Sequence, residues 1–383
     1  MDADVVIVGG GLVGGSLALA LAQARLRVAL VDLRASPAAE GRAYALSAAS
    51  RRLLQSLGLW ARLAPDAEAI RRIEVGEGAV PALAFDGAEM EDGPMGHMVE
   101  DAALRAALDA ALAGAGVRLL QGTVAAQGEG GATLSDGRRL ACALLVGADG
   151  RASGTARRAG IARTRAGYGQ SALACTLAHS RPHDGVARQR FLPGGPLALL
   201  PLMGDRTALV WSHRDAAARA LLAAPEATFL QALQDASGGV LGRLVLLMPR
   251  RVAPLGLSLA RALTAPRLAL VGDAAHAVHP VAGQGLNLGL RDVAALAEVV
   301  EDARARGEDI GAEGVLGRYA AWRAWDRAQL ALATDGVVRL FSLPLLGPAR
   351  SLGLATVARL PPLRRLLMRE AAGLSGDLPR RMR

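Results

Sequence analysis

The chain has no lysine. All 44 of its basic residues are arginine, set against 35 acidic residues for a net charge of +9 over 383 residues. Arginine keeps its charge at every neutral pH, so this balance is fixed. The arginines are scattered among acids and form no stripe with interleaved aromatics, which argues against a nucleic-acid surface. Aromatics are scarce as well, at 3% of residues, so the interior must be built from Ala, Leu, Val and Gly. Apolar residues reach 52% and charged residues only 21%, which excludes a disordered chain and permits a large core. The two cysteines, Cys142 and Cys175, exclude a disulfide scaffold and a cysteine-based zinc site, and they suit a reducing, cytoplasmic setting. Internal repeats and low-complexity linkers are missing too.

The one long uncharged run, 5–24, holds five glycines (Gly9, Gly10, Gly11, Gly14, Gly15) and follows Asp2 and Asp4. Glycines and an acidic flank fit neither a membrane span nor a signal peptide. The run divides into a β-branched strand at 5–8, a glycine cluster and a helix at 14–25, followed by a second strand at 28–31. Further along, the pattern predicts a helix at 45–57, strands with turns at 73–85, a helix at 102–113 and a hairpin at 123–140. Buried strands recur at 144–146 and 268–271. Between them, 167–254 is strand-rich with one helix near 225–234. A long helix is expected at 285–304, and a helical pattern from 317 onward is broken by Pro344, Pro348, Pro361 and Pro362. Apolar strands near the start, near 145 and near 270 suit one parallel sheet. The chain would leave that sheet to build a second domain and return.

Three glycine motifs follow those strands. Gly9-Gly10-Gly11-Leu12-Val13-Gly14 is a G-x-G-x-x-G between a strand and a helix, and Asp32 ends the next strand 23 residues after Gly9. Glycines there admit a pyrophosphate to the backbone, the helix N-terminus offers free N–H groups, and the acid can accept ribose hydroxyls. The second motif is Gly147-Ala148-Asp149-Gly150, and the third is Gly272-Asp273 after another buried strand. The third continues as His279-Pro280-Val281-Ala282-Gly283-Gln284-Gly285-Leu286-Asn287-Leu288-Gly289-Leu290-Arg291-Asp292, where a helix begins among the glycines.

With that last run the chain resembles the FAD-dependent aromatic hydroxylases of ubiquinone biosynthesis, which are single-component flavoprotein monooxygenases. Gly41-Arg42-Ala43-Tyr44-Ala45-Leu46-Ser47, Tyr168-Gly169-Gln170, the stretch from Arg190 to Pro201, Thr334-Asp335-Gly336 and Arg339-Leu340-Phe341-Ser342 extend the likeness over almost the whole chain. The resemblance implies an α/β protein in which a Rossmann-type FAD-binding domain (1–72, 101–165, 261–310) is interleaved with a β-rich substrate domain (73–100, 166–260), with a helical C-terminal region (311–383). It implies FAD as the dinucleotide. Gly9, Gly11 and Gly14 would cradle its pyrophosphate, Asp32 its adenosine ribose, Arg42 its phosphate side, and Asp149 the pyrophosphate or an incoming nicotinamide. Gly272 and Asp273 would bind the ribityl chain. Pro280, Gly283, Gln284, Gly285, Leu286 and Asn287 would face the flavin ring and position it through the backbone.

The implied reaction is hydroxylation of a polyprenylated phenol, with NAD(P)H as a transient co-substrate and O2 consumed through a flavin hydroperoxide. The cofactor carries the hard chemistry, so no Ser-His-Asp arrangement is required. Neither is a second G-x-G-x-x-G required for a nicotinamide that visits and leaves. Tyr168, Gln170, Phe191 and Trp211 are candidates for lining the substrate pocket, with core packing as the competing reading. His276 and His279 lie three apart but have no third ligand nearby, so no metal is expected and they read as structural around the flavin loop. The other four histidines read as surface or satisfied polar groups.

The chain departs from the family pattern at Ala102 and Ala156, positions where relatives often carry arginine near FAD. Arg105 and Arg157 stand close by. Between 336 and 373, leucines alternate with Arg339, Arg350, Arg359, Arg364, Arg365 and Arg369. A helical cap and a basic amphipathic face for a membrane or a biosynthetic complex are both open readings. A hydroxylase of a soluble phenol and a non-catalytic flavin-fold scaffold also stay open.

Overall fold

The computed structural model describes residues 1–33, 41–76, 82–91, 93–277, 284–324 and 360–383. Val5–Val8 is four buried β-branched residues in succession, suited to a strand covered on both faces. It lies inside a parallel sheet ordered Leu268–Leu270, Leu144–Gly147, Val5–Val8, Val28–Asp32, Arg118–Gln121, with Thr264–Ala265 antiparallel at one edge. The three strands expected to share a sheet are adjacent in it, Val5 opposite Leu144 and Leu145 opposite Leu268. Helix Leu12–Gln23 packs against helices Asp101–Gly114 and Gln284–Ala305, and together they cover the sheet with the largest apolar cluster of the molecule.

The second sheet is ordered His276–Ala277, Arg251–Ala260, Arg163–His179, Arg206–Arg214, Gly195–Leu202, Val186–Leu192, Arg72–Gly76, Leu83–Asp86, with Leu244–Leu246 paired off this path to Arg163–His179. On one face, Leu173, Leu177, Leu197, Leu209 and Trp211 meet Phe229 and Leu233 of helix Glu226–Ser237. On the other, Ala187, Leu202 and Ala208 meet Ile70 and Met98. Those two belong to a small sheet of Ala43–Ser47, Gly96–Glu100 and Glu68–Ile70. The small sheet thus sits between the large sheet and the helices that cover the parallel sheet. This is the expected α/β architecture.

Several expectations need correction. The helix expected from 45 starts at Ala48. Residues 45–47 are strand, because their backbone pairs with Gly96–Met98, and the Ser47 hydroxyl caps the helix by accepting the Ser50 N–H at 3.2 Å. The strand-rich stretch contains a second helix, Asp215–Ala223, beside the expected one. The hairpin at 123–140 is a three-stranded meander of Val124–Gly128, Gly131–Leu134 and Arg139–Ala141. In the C-terminal region, 313–324 is helical, and the Tyr319 hydroxyl ties it to the parallel sheet by donating to Leu270 O at 2.8 Å. Pro361–Ala371 is also helical. The segments around Thr334 and Phe341, with Pro344 and Pro348, lie outside the described residues.

Candidate dinucleotide site

Glycine is required where the three motifs meet. Gly9 has φ +107°, and a Cβ there would stand 2.4 Å from the Ala148 carbonyl oxygen, so the first and second glycine turns touch. A Cβ on Gly14 would lie 1.9 Å from Gly9 O. Gly272, at φ +60°, would place a Cβ 3.0 Å from the Val13 side chain, and Gly289 of the long helix approaches the same valine. The three motifs therefore close around the first turn of helix Leu12–Gln23.

That turn opens onto a groove of about 210 Å³ whose wall includes Gly10, Gly11, Leu12, Asp32 and Arg105. A Cβ on Gly11 would meet nothing within 4 Å, whereas one on Gly10 would strike the Asp32 carboxylate at 2.7 Å. The helix has no side-chain cap and no acid in its first turn, so its N-terminal N–H groups and partial positive charge are available to an anion. Asp32 stands at the end of its strand, one oxygen accepting the Leu33 N–H at 2.9 Å. A carboxylate for ribose hydroxyls beside a helix start for phosphates fits a dinucleotide. Arg105 is held at the groove wall by a 2.6 Å bond to the fully buried Asp101. It is therefore the arginine that serves this groove. Ala156 is buried at 0% exposure in the core, Arg157 is exposed, and Ala102 is exposed. Arg42 is exposed just before strand Ala43–Ser47, its guanidinium 4.8 Å from the Tyr44 ring centre.

Two of the expected cofactor residues have side-chain partners within the chain itself. The Asp149 carboxylate faces its own turn, accepting from Ser153 Oγ at 2.5 Å, Thr155 N at 2.9 Å and Thr155 Oγ1 at 3.0 Å. It shapes the start of the short helix Gly154–Arg158. Asn287 joins the long helix to the small sheet: its Oδ1 accepts the Ser47 N–H at 2.9 Å, and its Nδ2 donates to Ala45 O at 2.8 Å. That amide fastens the strand Ala43–Ser47, which carries Tyr44 and follows Arg42. Asp273 is exposed on the single turn Gly272–Ala274. Gly285 opens onto free space, and Leu286 packs on the core. Pro280 and Gly283 lie outside the described residues, and Gln284 is the first residue of the long helix.

The substrate candidates divide. Tyr168 and Gln170 flank Gly169, at φ +62°, where the register of Arg163–His179 shifts between Gly167 and Ser171. Bulges of this kind re-aim side chains. Phe191 pairs with Pro196, and alternation along the strand places it on the face away from helix Glu226–Ser237. Trp211 is a core residue at 4% exposure, packed with Phe229 and Leu233, and it leaves the substrate set.

Sequence reasoning missed a buried cluster at the third motif. Asp292, at the end of the glycine-rich run, accepts the Gly272 N–H at 2.9 Å, His276 Nε2 at 2.5 Å and Arg323 Nε at 2.8 Å. Burial alone would raise its pKa, but His276 and Arg323 overcome that and hold it at about 2. His276 is thus structural, as expected. Arg163 reaches the same turn from the large sheet, donating through Nη2 to Asp273 O at 3.1 Å and through Nη1 to Ala274 O. Among the described residues, no three His, Cys, Asp or Glu side chains gather as metal ligands. A larger cavity of about 460 Å³ near Glu68, Arg71, His183 and Asp205 shares no residue with the glycine motifs.

Residues 2–319 match the family profile described as FAD binding domain. Ubiquinone hydroxylase UbiL of Rhodospirillum rubrum is 43% identical, the alignment covering 100% of this chain and 92% of that protein. The 3-demethoxyubiquinol 3-hydroxylase of Escherichia coli K12 is 35% identical, covering 97% and 98%. Among solved structures, PqsL of Pseudomonas aeruginosa, described as a probable FAD-dependent monooxygenase, superimposes with a TM-score of 0.76 at 26% identity, covering 92% and 99%. The p-nitrophenol 4-monooxygenase PnpA of Pseudomonas putida shares the fold, with a TM-score of 0.81 at 18% identity and 98% of each chain covered.

Proposed function

The chain belongs to the FAD binding domain family, and from that premise we propose that it hydroxylates the ring of a polyprenylated phenol in ubiquinone synthesis, using NAD(P)H and O2. The observation that carries the reading is the meeting of three glycine turns at the start of helix Leu12–Gln23, in a chain that aligns end to end with two hydroxylases of ubiquinone or its precursors. FAD would supply the redox chemistry, accepting hydride from NAD(P)H and activating O2 toward an electron-rich ring.

The protein's own tasks are binding, orientation and exclusion of water. Asp32 would accept the ribose hydroxyls, and the N–H groups at the start of Leu12–Gln23 would take the phosphates. The exposed Asp273 carboxylate is free to accept ribityl hydroxyls. The 22-residue helix Gln284–Ala305 has no acid in its first turn, so its N-terminal dipole favours negative charge near Gly285. On the large sheet, Ala174, Ala198 and Val210 are small, half-buried and on the same face as Phe191. The reading assigns the ring to that face, which carries Phe191, with Tyr168 and Gln170 on the strand of Ala174. A phenol is already electron-rich, so the reading assigns no side-chain acid or base.

Among the described residues no helix is long and apolar enough to cross a membrane. Helix Pro361–Ala371 exposes Leu366 and Leu367 beside the exposed Arg365 and Arg369. This supports contact with an anionic lipid surface, where a prenyl tail would remain. Sedimentation with anionic vesicles, lost in Leu366→Asp, checks that part. The function itself is tested by deleting the gene and identifying the accumulated precursor by mass spectrometry. A prenylated phenol lacking one hydroxyl is expected. An unchanged quinone pool would refute the proposal.

A further inference from the structure

Three distant segments close on the single turn Gly272–Ala274, and neither cofactor binding nor ring positioning as described above accounts for them. From the large sheet, Arg163 holds the Asp273 and Ala274 carbonyls while its Nε donates to Ser258 Oγ at 3.0 Å. From the long helix, Asp292 accepts the Gly272 N–H. From the helical segment 313–324, Arg323 fixes the other Asp292 oxygen. Asp292, His276 and Arg323 are each no more than 1% exposed. A buried ion cluster costs desolvation and is a weak source of stability, but it fixes direction. Here the fixed direction is that of the Gly272 N–H, in a residue at φ +60°. Among the described residues, the Asp273 carboxylate that follows makes no hydrogen bond.

We propose that Arg163 and Asp292 are paired positioning residues: they grip the carbonyls and the N–H of the Gly272–Ala274 turn from opposite sides and so aim Asp273 at FAD. Arg323 orients Asp292, which makes cofactor retention depend on the helical C-terminal region. The proposal rests on the FAD reading above.

The test measures FAD dissociation constants by fluorescence titration of apoprotein, beside the thermal midpoint of the same apoprotein. Arg163 is only part-buried, so Arg163→Met strands no buried charge. It is expected to weaken FAD binding at least tenfold while the apoprotein midpoint moves by no more than a few degrees. A merely structural role would move the midpoint and leave the affinity of folded protein unchanged. Arg163→Lys is expected to recover part of the loss. Asp292→Asn is expected to weaken binding as well, and the double variant to lose less than the product of the single losses, because both act on one turn. If Asp292→Asn does not fold, Arg163→Met decides alone. Wild-type affinity in Arg163→Met, or fully multiplicative losses, would overturn the clamp. Wild-type protein that takes up no FAD would overturn the reading beneath it and the clamp with it.

Discussion

Gly11→Ala separates the space kept for the cofactor from the space used by the fold. Position 11 has φ −67° and ψ −176°, open to any residue, and an added Cβ meets nothing within 4 Å. Alanine restricts the unfolded chain, a gain of about 0.4–1 kcal/mol, and is a poorer N-cap than glycine by a similar amount. The apoprotein should therefore keep its stability within about 0.5 kcal/mol. The new methyl would stand where phosphate must approach the helix N-terminus. Losing one hydrogen bond to a charged group costs about 1.5–3 kcal/mol, or roughly ten- to hundredfold in dissociation constant. Gly14→Ala should behave in the opposite way. Its Cβ lies 1.9 Å from Gly9 O, a backbone atom that cannot yield cheaply, so the apoprotein should lose about 1–3 kcal/mol or more. Thermal unfolding of both apoproteins, with FAD titration followed by flavin fluorescence, reads both effects. A Gly11→Ala variant that binds FAD as tightly as wild type would refute the placement of the pyrophosphate.

Three further outcomes are expected. Asn287→Ala removes both bonds to Ser47 and Ala45; chemical denaturation should show a loss of about 2–3 kcal/mol, with faster hydrogen exchange along Ala43–Ser47. Trp211→Ala should cost about 3–5 kcal/mol in the same assay, with an unchanged KM for the phenol once activity is corrected for folded protein. Burial, helped by the charge of Arg51, pushes the His97 imidazole down to about 4. Folding thus favours its neutral form, and the stability it contributes is complete above about pH 6.5 and is lost as pH falls toward 4. After allowance for the ring's exposure this is worth about 1 kcal/mol, so His97→Gln should flatten the fall in thermal midpoint across that interval.

How much of this was legible follows from where each constraint resides. Gly9, Gly14 and Gly272 could be read directly because glycine itself reports a backbone that must pass close to something. The parallel sheet was legible because strands covered on both faces are apolar without alternation, as at Val5–Val8. The strand at 45–47 was not: Ala45 and Leu46 suit a helix locally, and only pairing with 96–98 makes them extended. Asp292 and Asn287 stood in plain view inside a recognised motif, yet their roles depend on Arg323 and Ser47, 31 and 240 residues away. The intra-turn bonds of Asp149 were hidden for a related reason, since an acid in a glycine turn does not announce that Ser153 and Thr155 donate to it. Trp211 was ambiguous because a strand pattern marks two faces without saying which one a helix will cover.

The central claim is that this chain holds FAD to place an oxygen atom from O2 on a prenylated phenol. Purified protein should be supplied with FAD, NAD(P)H, the phenol and isotopically labelled O2, and the product weighed by mass spectrometry. The account predicts one labelled oxygen on a ring carbon, with NAD(P)H oxidation accelerated by the phenol. Flavin-loaded protein that consumes NAD(P)H but leaves the phenol unlabelled would contradict it.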